Sequence, residues 1–401
     1  MSGWVTARLG DIVSIVGGGT PTRTNPDYYG GEIPWVTPKD MKSNYIDKSL
    51  VTLTQNGLSN SPTRLIPSNS ILIVVRSGVL KHTVPIAVNT VPVAINQDMK
   101  ALMCSEQIDP NFLARFVKAR STEILRWVRA TTADNFPTDR LRELSVPIPP
   151  LGEQRTIAKI LDQADLLGYQ RRKTIAHLDE LSQSMFREMF GDLTRKQENY
   201  NLSNLKDIVS EFRYGTSIKS QSQGVPTLRI PNVTNSEIDT SDLKLVPVST
   251  PELGRLRLLD GDLLIVRTNG NPDLVGRCAI YNSEVTTKSG RPGEDFIYAS
   301  YLIRARPKMD VISPVYLREF LLGPTGRRAL RSRSKTSAGQ FNINTESLGA
   351  IKVPVPPLDL QHEYARRVRA VERLKASQRA HLAELDALFA SLQYRAFRGE
   401  L

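Results

Sequence analysis

The sequence predicts an α+β protein: two duplicated mixed α/β domains joined by two long coiled-coil helices. Three observations predict it. Segments of the first half return in order in the second; short β-branched runs alternate with capped helical segments inside each half; and each half ends in a proline-rich stop followed by a long heptad pattern. At 401 residues the chain exceeds one ordinary domain.

The repeats come first. LGDIVS (Leu9 to Ser14) returns as LKDIVS (Leu205 to Ser210), and the step Gly19-Thr20 returns as Gly215-Thr216, both at an offset of 196. NSILIVVRSG (Asn69 to Gly78) returns as GDLLIVRTNG (Gly261 to Gly270) at 192. IDPNFLARFV (Ile108 to Val117) returns as ISPVYLREFL (Ile312 to Leu321) at 204, and VPIPPLGEQ (Val146 to Gln154) as VPVPPLDLQ (Val353 to Gln361) at 207. The order is kept and only loop lengths drift.

Ile71 to Val75 and Leu263 to Val266 read as buried strands. Asp109-Pro110 and Ser313-Pro314 read as N-caps followed by proline at the first helical position, opening helices on Phe112, Leu113 and Phe116 and on Tyr316, Leu317 and Phe320. From Gly152 the heptad places are Ile157, Ile160, Ala164, Leu167, Arg171, Thr174, Leu178, Leu181 and Met185. From Asp359 they are Tyr364, Val368, Val371, Lys375, Gln378, Leu382, Leu385, Phe389, Leu392 and Ala396. Both seams turn polar in the middle, at Arg171 and Thr174 and at Lys375 and Gln378, which an antiparallel pairing would bring together. About 38 residues at about 1.5 Å each give helices of about 57 Å, spacers as much as cores. The expected boundaries are 1–150 for the first domain, 151–193 for its helix, 194–357 for the second domain and 358–401 for the last helix.

The formal charge of +12 and pI near 9.7 point to a polyanionic partner. The excess is +4 in 1–150 and +7 in 194–357, against −1 in 151–193 and +2 in 358–401. Cys104 and Cys278 stand apart, and with four scattered histidines neither a disulfide framework nor a metal site is expected. No apolar run is long enough to span a bilayer and the start MSGWVTARLGD is not a signal peptide, so the reading is a soluble cytoplasmic protein.

Taken together, these residues resemble the specificity subunits of type I restriction-modification enzymes. PIPPLGEQRTIAKILDQAD (Pro147 to Asp165) is similar to the family's junction between recognition domain and first long helix. Its second copy, PVPPLDLQHEYARRVRAVE, departs after Leu358, with Leu360 where the family has Glu. MFGDL (Met189 to Leu193) is mirrored by FRGEL (Phe397 to Leu401), and GGGTP (Gly17 to Pro21) looks like the start of a recognition domain. The resemblance implies two target-recognition domains at opposite ends of two antiparallel helices about a pseudo-two-fold axis, each reading half of a split DNA site. It implies as partners double-stranded DNA, two methyltransferase subunits carrying S-adenosylmethionine for adenine N6 methylation, and restriction subunits carrying the ATP-driven motor and nuclease. It implies no cofactor and no catalysis in this chain.

Three short patterns touch on chemistry of the chain's own. Gly17 to Thr20 lacks the Gly-Lys-Ser/Thr of a phosphate-binding loop and is a turn. NPDY (Asn25 to Tyr28) is near the NPPY of amino-methyltransferases, but Asp27 replaces the second proline and no glycine-rich cofactor loop accompanies it. Pro26-Asp27 with Asp40-Met41-Lys42 fits the PD-DxK pattern of magnesium nucleases, yet Asp40 and Lys42 align with Asn232 and Thr234 in the repeat. A nuclease and a plain DNA-binding regulator therefore stand as the rival readings.

For reading DNA, loops leaving the buried strands are the natural carriers, because a rigid sheet aims them. In the first domain these are Arg76, Ser77, Lys81 and His82, with Lys39 and Asn135. In the second they are Arg229, Asn232, Arg267, Asn269 and Asn271, with Gln340 and Asn342. Arg pairs bidentately with guanine, and Asn or Gln with adenine. Arg327, Arg328, Arg331, Arg333 and Lys335, beside the TSAGQFN loop, form a basic run suited to phosphate. Unlike loops in the two domains predict an asymmetric target.

Overall fold

The computed structural model describes residues 3–129, 134–191, 200–234, 237–337 and 339–401. The end of MFGDL (Asp192 and Leu193), the expected boundary at 193/194 and Ala338 of TSAGQFN lie outside them. The chain forms two compact units, Met1–Lys173 with Ala380–Leu401, and Thr174–Arg379, so each long helix contributes one part to each unit.

The first unit is built on a five-stranded sheet in the order Val13–Gly17, Met99–Cys104, Ile71–Val74, Ile86–Asn89, Tyr45–Ile46. All four residues of Ile71–Val74 are buried, as expected of a strand covered on both faces. The period of two divides them: Ile71 and Ile73 pack with Leu113 and Phe116 of the helix Pro110–Ala119, whereas Leu72 and Val74 pack with Val36 and Ile95. The latter two belong to a second sheet, Thr52–Leu53, Tyr29–Val36, Val93–Ile95, Leu65–Ile66.

The second unit repeats the plan. Its central sheet runs Val209–Tyr214, Leu302–Pro307, Leu263–Val266, Cys278–Ile280, with Leu263 and Ile265 facing Leu317 and Phe320 and with Leu264 and Val266 facing Phe296 and Tyr298. The parallel pairing of Trp35 with Ala94 and Val36 with Ile95 returns as Thr227 with Ile297 and Leu228 with Tyr298.

The glycine equivalence differs by one residue from the expectation. A Cβ on Gly18 would meet the Ile95 carbonyl oxygen at 2.2 Å, and one on Gly215 would meet that of Tyr298 at 2.1 Å. The next N–H donates to the same carbonyl in each case, Gly19 to Ile95 at 3.0 Å and Thr216 to Tyr298 at 2.9 Å. Gly18, not Gly19, thus matches Gly215, and the β-bulge between Val209 and Glu211 absorbs the extra residue.

The long helices are Leu151–Phe190 and Leu358–Ala396. In the second, every expected seam position, including Val368, Val371, Leu382, Leu385 and Phe389, is buried or half-buried. In the first, Ile157, Ala164, Arg171, Leu178 and Met185 hold, and Ile160 is half-buried. The intervening positions shift by one: Leu167 and Leu181 are 52% and 45% exposed, while Leu161, Gly168 and Ser182 are buried and Ile175 half-buried. Adjacent apolar pairs such as Ile160-Leu161 leave the phase of the heptad open, and burial of the small Gly168 and Ser182 in place of Leu167 and Leu181 settles it.

In both units the helices run antiparallel. In the first, Phe397, just past the end of the second helix, packs on Phe112 and Phe116 with ring centroids 5.7 and 5.3 Å away, and Arg172 pairs with Asp386 at 3.1 Å. In the second, Phe190 packs on Tyr316 and Tyr364 at 4.7 and 5.3 Å. The polar seam place Lys375 is 6% exposed and bonds Asp179 at 2.7 Å and Glu372 at 2.9 Å. Burial works against its charge, but these two bonds hold its pKa above the ordinary lysine value.

Candidate nucleic-acid interface

The chain leaving each central strand is crossed by the segment that leads back to the long helix. In the first unit Arg76 forms an antiparallel bridge with Asn135, and Phe136 donates its N–H to the Val75 carbonyl at 3.3 Å. In the second, Thr268 pairs with Asn342, and Ile343 donates to Arg267 at 2.9 Å. Asn135 and Asn342 are therefore equivalent positions.

Around the first crossing the structure gathers most of the expected residues. Arg76 is exposed and its Nε donates to Asp98 Oδ1 at 2.6 Å. Ser77 donates its backbone N–H to Asp134 at 2.9 Å, and Lys81 Nζ lies 4.0 Å from the Asp134 carboxylate. His82 is exposed at the end of the turn Gly78–Lys81. Lys39 is exposed too, but it stands on the turn after Tyr29–Val36, and among the described residues no hydrogen bond or ion pair links it to the Arg76 group.

The second crossing is a three-stranded sheet, Thr268–Asn269, Gln340–Asn342 and Lys335–Ser337. It unites Asn269, Gln340, Asn342 and Lys335, with Arg267 immediately before it and Asn271 immediately after. The Arg267 guanidinium lies 4.6 Å over the Tyr214 ring. Asn269 and Asn271 accept, through their side-chain oxygens, the backbone N–H groups of Asn271 and Asp273 at 2.8 and 2.9 Å. Arg331 and Arg333 occupy the last turn of the helix Pro324–Arg333, leading into Lys335. Arg331 pairs with Asp273, whereas Arg333 and Lys335 are exposed and make no ion pair among the described residues.

Three expectations change. Asn232, expected to read bases, is 2% exposed; its Oδ1 accepts from Arg229 N at 2.8 Å and its Nδ2 donates to the carbonyls of Asp239 and Asp242 at 2.7 and 3.1 Å. It holds the loop together. Arg229 is half-buried and donates to the exposed Asp242 carboxylate at 2.6 Å, which commits its guanidinium to the same loop. Within the basic run, Arg327 donates to the carbonyls of Val275 and Asp273 at 2.7 and 2.9 Å and serves the fold. Sequence reading missed Arg129, which bridges Asn135 on the side away from Arg76 and is exposed.

The second carboxylate of the nuclease pattern is occupied structurally. Asp40 accepts from the backbone N–H groups of Thr37 and Leu50, both at 2.8 Å, and from the Thr37 hydroxyl at 2.7 Å. That is the same turn-holding part that Asn232 plays in the repeat. Burial pushes both cysteine thiols up to about 12, so each stays protonated near neutrality. Among the described residues no cluster of His, Cys, Asp or Glu suits a metal ion, and no helix is long and apolar enough to cross a membrane.

The model for the type I restriction modification DNA specificity domain matches residues 1–176. The type I restriction enzyme EcoKI specificity subunit of Escherichia coli (strain K12) is 27% identical, covering 100% of this chain and 89% of the relative. The EcoR124I/EcoR124II specificity subunit of Escherichia coli is 36% identical, over 47% of each chain. Among solved structures, the S subunit of the type I restriction-modification system from M. genitalium superposes with a TM-score of 0.60 at 15% identity, covering 98% of this chain and 96% of that one. A structure described as the basis of complex assembly and conformational transition of the type I R-M system superposes with a TM-score of 0.58 at 17% identity, covering 100% and 99%.

Proposed function

We propose that the chain, which is similar along its whole length to a specificity subunit of a type I restriction enzyme, belongs with those subunits and selects the DNA sequence on which partner subunits act. Each recognition domain, 1–150 and 194–357, reads one half of an asymmetric bipartite site. The long helices space the domains and dock two methyltransferase subunits, with restriction subunits joining them, in the cytoplasm. The observation that carries this reading is the repeated crossing at Asn135 and Asn342, which gathers Arg, Lys, Asn and Gln residues beside the chain leaving the central strand of each unit.

Arg76, Ser77, Lys81, His82, Lys39 and Asn135 are the proposed DNA contacts of the first domain, and Arg267, Asn269, Asn271, Gln340 and Asn342 those of the second. Arg331, Arg333 and Lys335 hold phosphate. Such contacts position the duplex, while the amide and guanidinium groups at the crossings face base edges.

The test is reconstitution. The purified chain alone should neither methylate nor cut DNA, and adding the methyltransferase subunits should give methylation confined to one split motif. Adenine methylation by the isolated chain with S-adenosylmethionine, or magnesium-dependent cleavage by it, would overturn the reading.

A further inference from the structure

At each crossing the asparagine is bridged on both sides. Asn135 lies between Arg76 and Arg129, and Asn342 between Thr268 and Lys335. Residues opposite one another in such bridges carry their side chains on the same face, about 5 Å apart. The first unit thus presents a row Arg76, Asn135, Arg129, and the second a row Thr268, Asn342, Lys335. A row of three covers about 10 Å, close to three base steps of about 3.4 Å.

The two rows offer different chemistry. In the first, both flanking arginines are exposed, and the bond from Arg76 Nε to Asp98 fixes that guanidinium, whose two outer nitrogens make no hydrogen bond among the described residues. A fork held in this way is pre-organised for a bidentate acceptor such as the O6/N7 edge of guanine. In the second, Thr268 is 8% exposed and donates its hydroxyl to Gln340 Oε1 at 3.0 Å, so the exposed Gln340 stands over it. That row therefore presents Gln340, Asn342 and Lys335.

We propose that these rows, apart from Lys335 at the phosphate-holding end of the second, are the base-reading elements of the two domains and that Arg129 determines specificity in the first half-site. This rests on the DNA-reading function above. Asn135 and Asn342 read adenine in both half-sites; Arg76 and Arg129 add guanine on either side of the first adenine, and Gln340 adds a second adenine to the other half-site.

The experiment maps the methylated motif made by the complex with its methyltransferase subunits, for the wild-type chain and for Arg129→Ala, Asn135→Ser and Asn342→Ser. Arg129→Ala should relax one guanine position of one half-site, lowering discrimination there roughly 10- to 100-fold, with the other half-site and the thermal unfolding temperature unchanged. The two asparagine variants should relax one position each, in opposite half-sites. If wild type gives a split motif and the Arg129→Ala motif is identical to it, the proposal falls while the function stands. A uniform loss of binding on all DNA with a flatter salt dependence also overturns it, since Arg129 would then hold phosphate. If wild type gives no split motif, the function itself is refuted.

Discussion

Gln154 Oε1 accepts the backbone N–H of Asp109 at 2.8 Å, tying the first turn of a long helix to the start of a short one. Its Nε2 donates to the carbonyls of Gln107 and Pro149 at 3.0 and 2.8 Å, and the residue is fully buried. Gln361 repeats the arrangement, accepting from Ser313 at 2.8 Å and donating to Val311 and Pro356 at 3.3 and 2.8 Å. This explains why the repeat PPLxxQ ends on glutamine: one amide satisfies a donor and an acceptor at the start of the short helix and an acceptor in the proline-rich stop. The two copies differ at the residue so held: Ser313 makes no side-chain cap, contrary to expectation, whereas Asp109 caps Asn111 and Phe112 at 3.0 Å each.

Replacing Gln154 by Ala strands those three buried groups and should cost about 2–4 kcal/mol. Denaturant unfolding followed by tryptophan fluorescence reads the loss, because Trp4 packs against the same helix start. A change below about 0.5 kcal/mol would mean water replaces the amide at no cost.

A second prediction concerns acid. Arg115, with a side chain 6% exposed, bridges Asp162 and Asp165 at 2.5 and 2.8 Å, and Asn44 adds a bond to Asp165 at 2.7 Å. Burial pushes the Asp165 carboxyl up, but the bonds from Arg115 and Asn44 outweigh it and hold the pKa below the usual value. A depressed carboxylate stabilises the fold above its unfolded pKa, near 3.9, and that stability disappears as pH falls through the folded value. Stability of the first unit should therefore fall below about pH 4, and Asp165→Asn should flatten the fall. An unchanged pH profile in Asp165→Asn would remove Asp165 from the account.

The seam phase gives a third. Leu161→Asp should unfold the first unit, since Leu161 is fully buried against Phe112 and Ala396. Leu181→Asp should shift stability by less than about 1 kcal/mol, because its side chain already faces solvent. Comparable damage from both would restore the sequence-derived phase for the first helix.

Arg333 separates positioning from reading. As a phosphate contact, its change to Ala should flatten the slope of log K against log salt by about one and weaken cognate and unrelated DNA alike. Arg331 is the less clean probe, because its removal also releases Asp273. Loss on cognate DNA alone, with an unchanged slope, would make Arg333 a base contact.

The duplication was legible because strands, caps and the PPLxxQ stop keep their residue types where burial demands them. What the sequence hid was geometry that residue type does not encode. The bulge at Val209 to Glu211 moved one glycine equivalence by a residue, and neighbouring apolar residues in the first long helix left two phases open. Asn232 looked like a reader because polarity and loop position do not reveal whether an amide points in or out. Arg129 carried no motif; its signal was a cation six places before Asn135, matched by Lys335 seven places before Asn342.

The central claim is that each domain independently selects half of the target, and domain exchange tests it most directly. Residues 1–145 would be replaced by the corresponding domain of a relative, and the methylated motif sequenced in cells carrying the methyltransferase subunits. One half of the motif should change and the other should remain base for base. A motif altered in both halves, or in neither, would contradict the account.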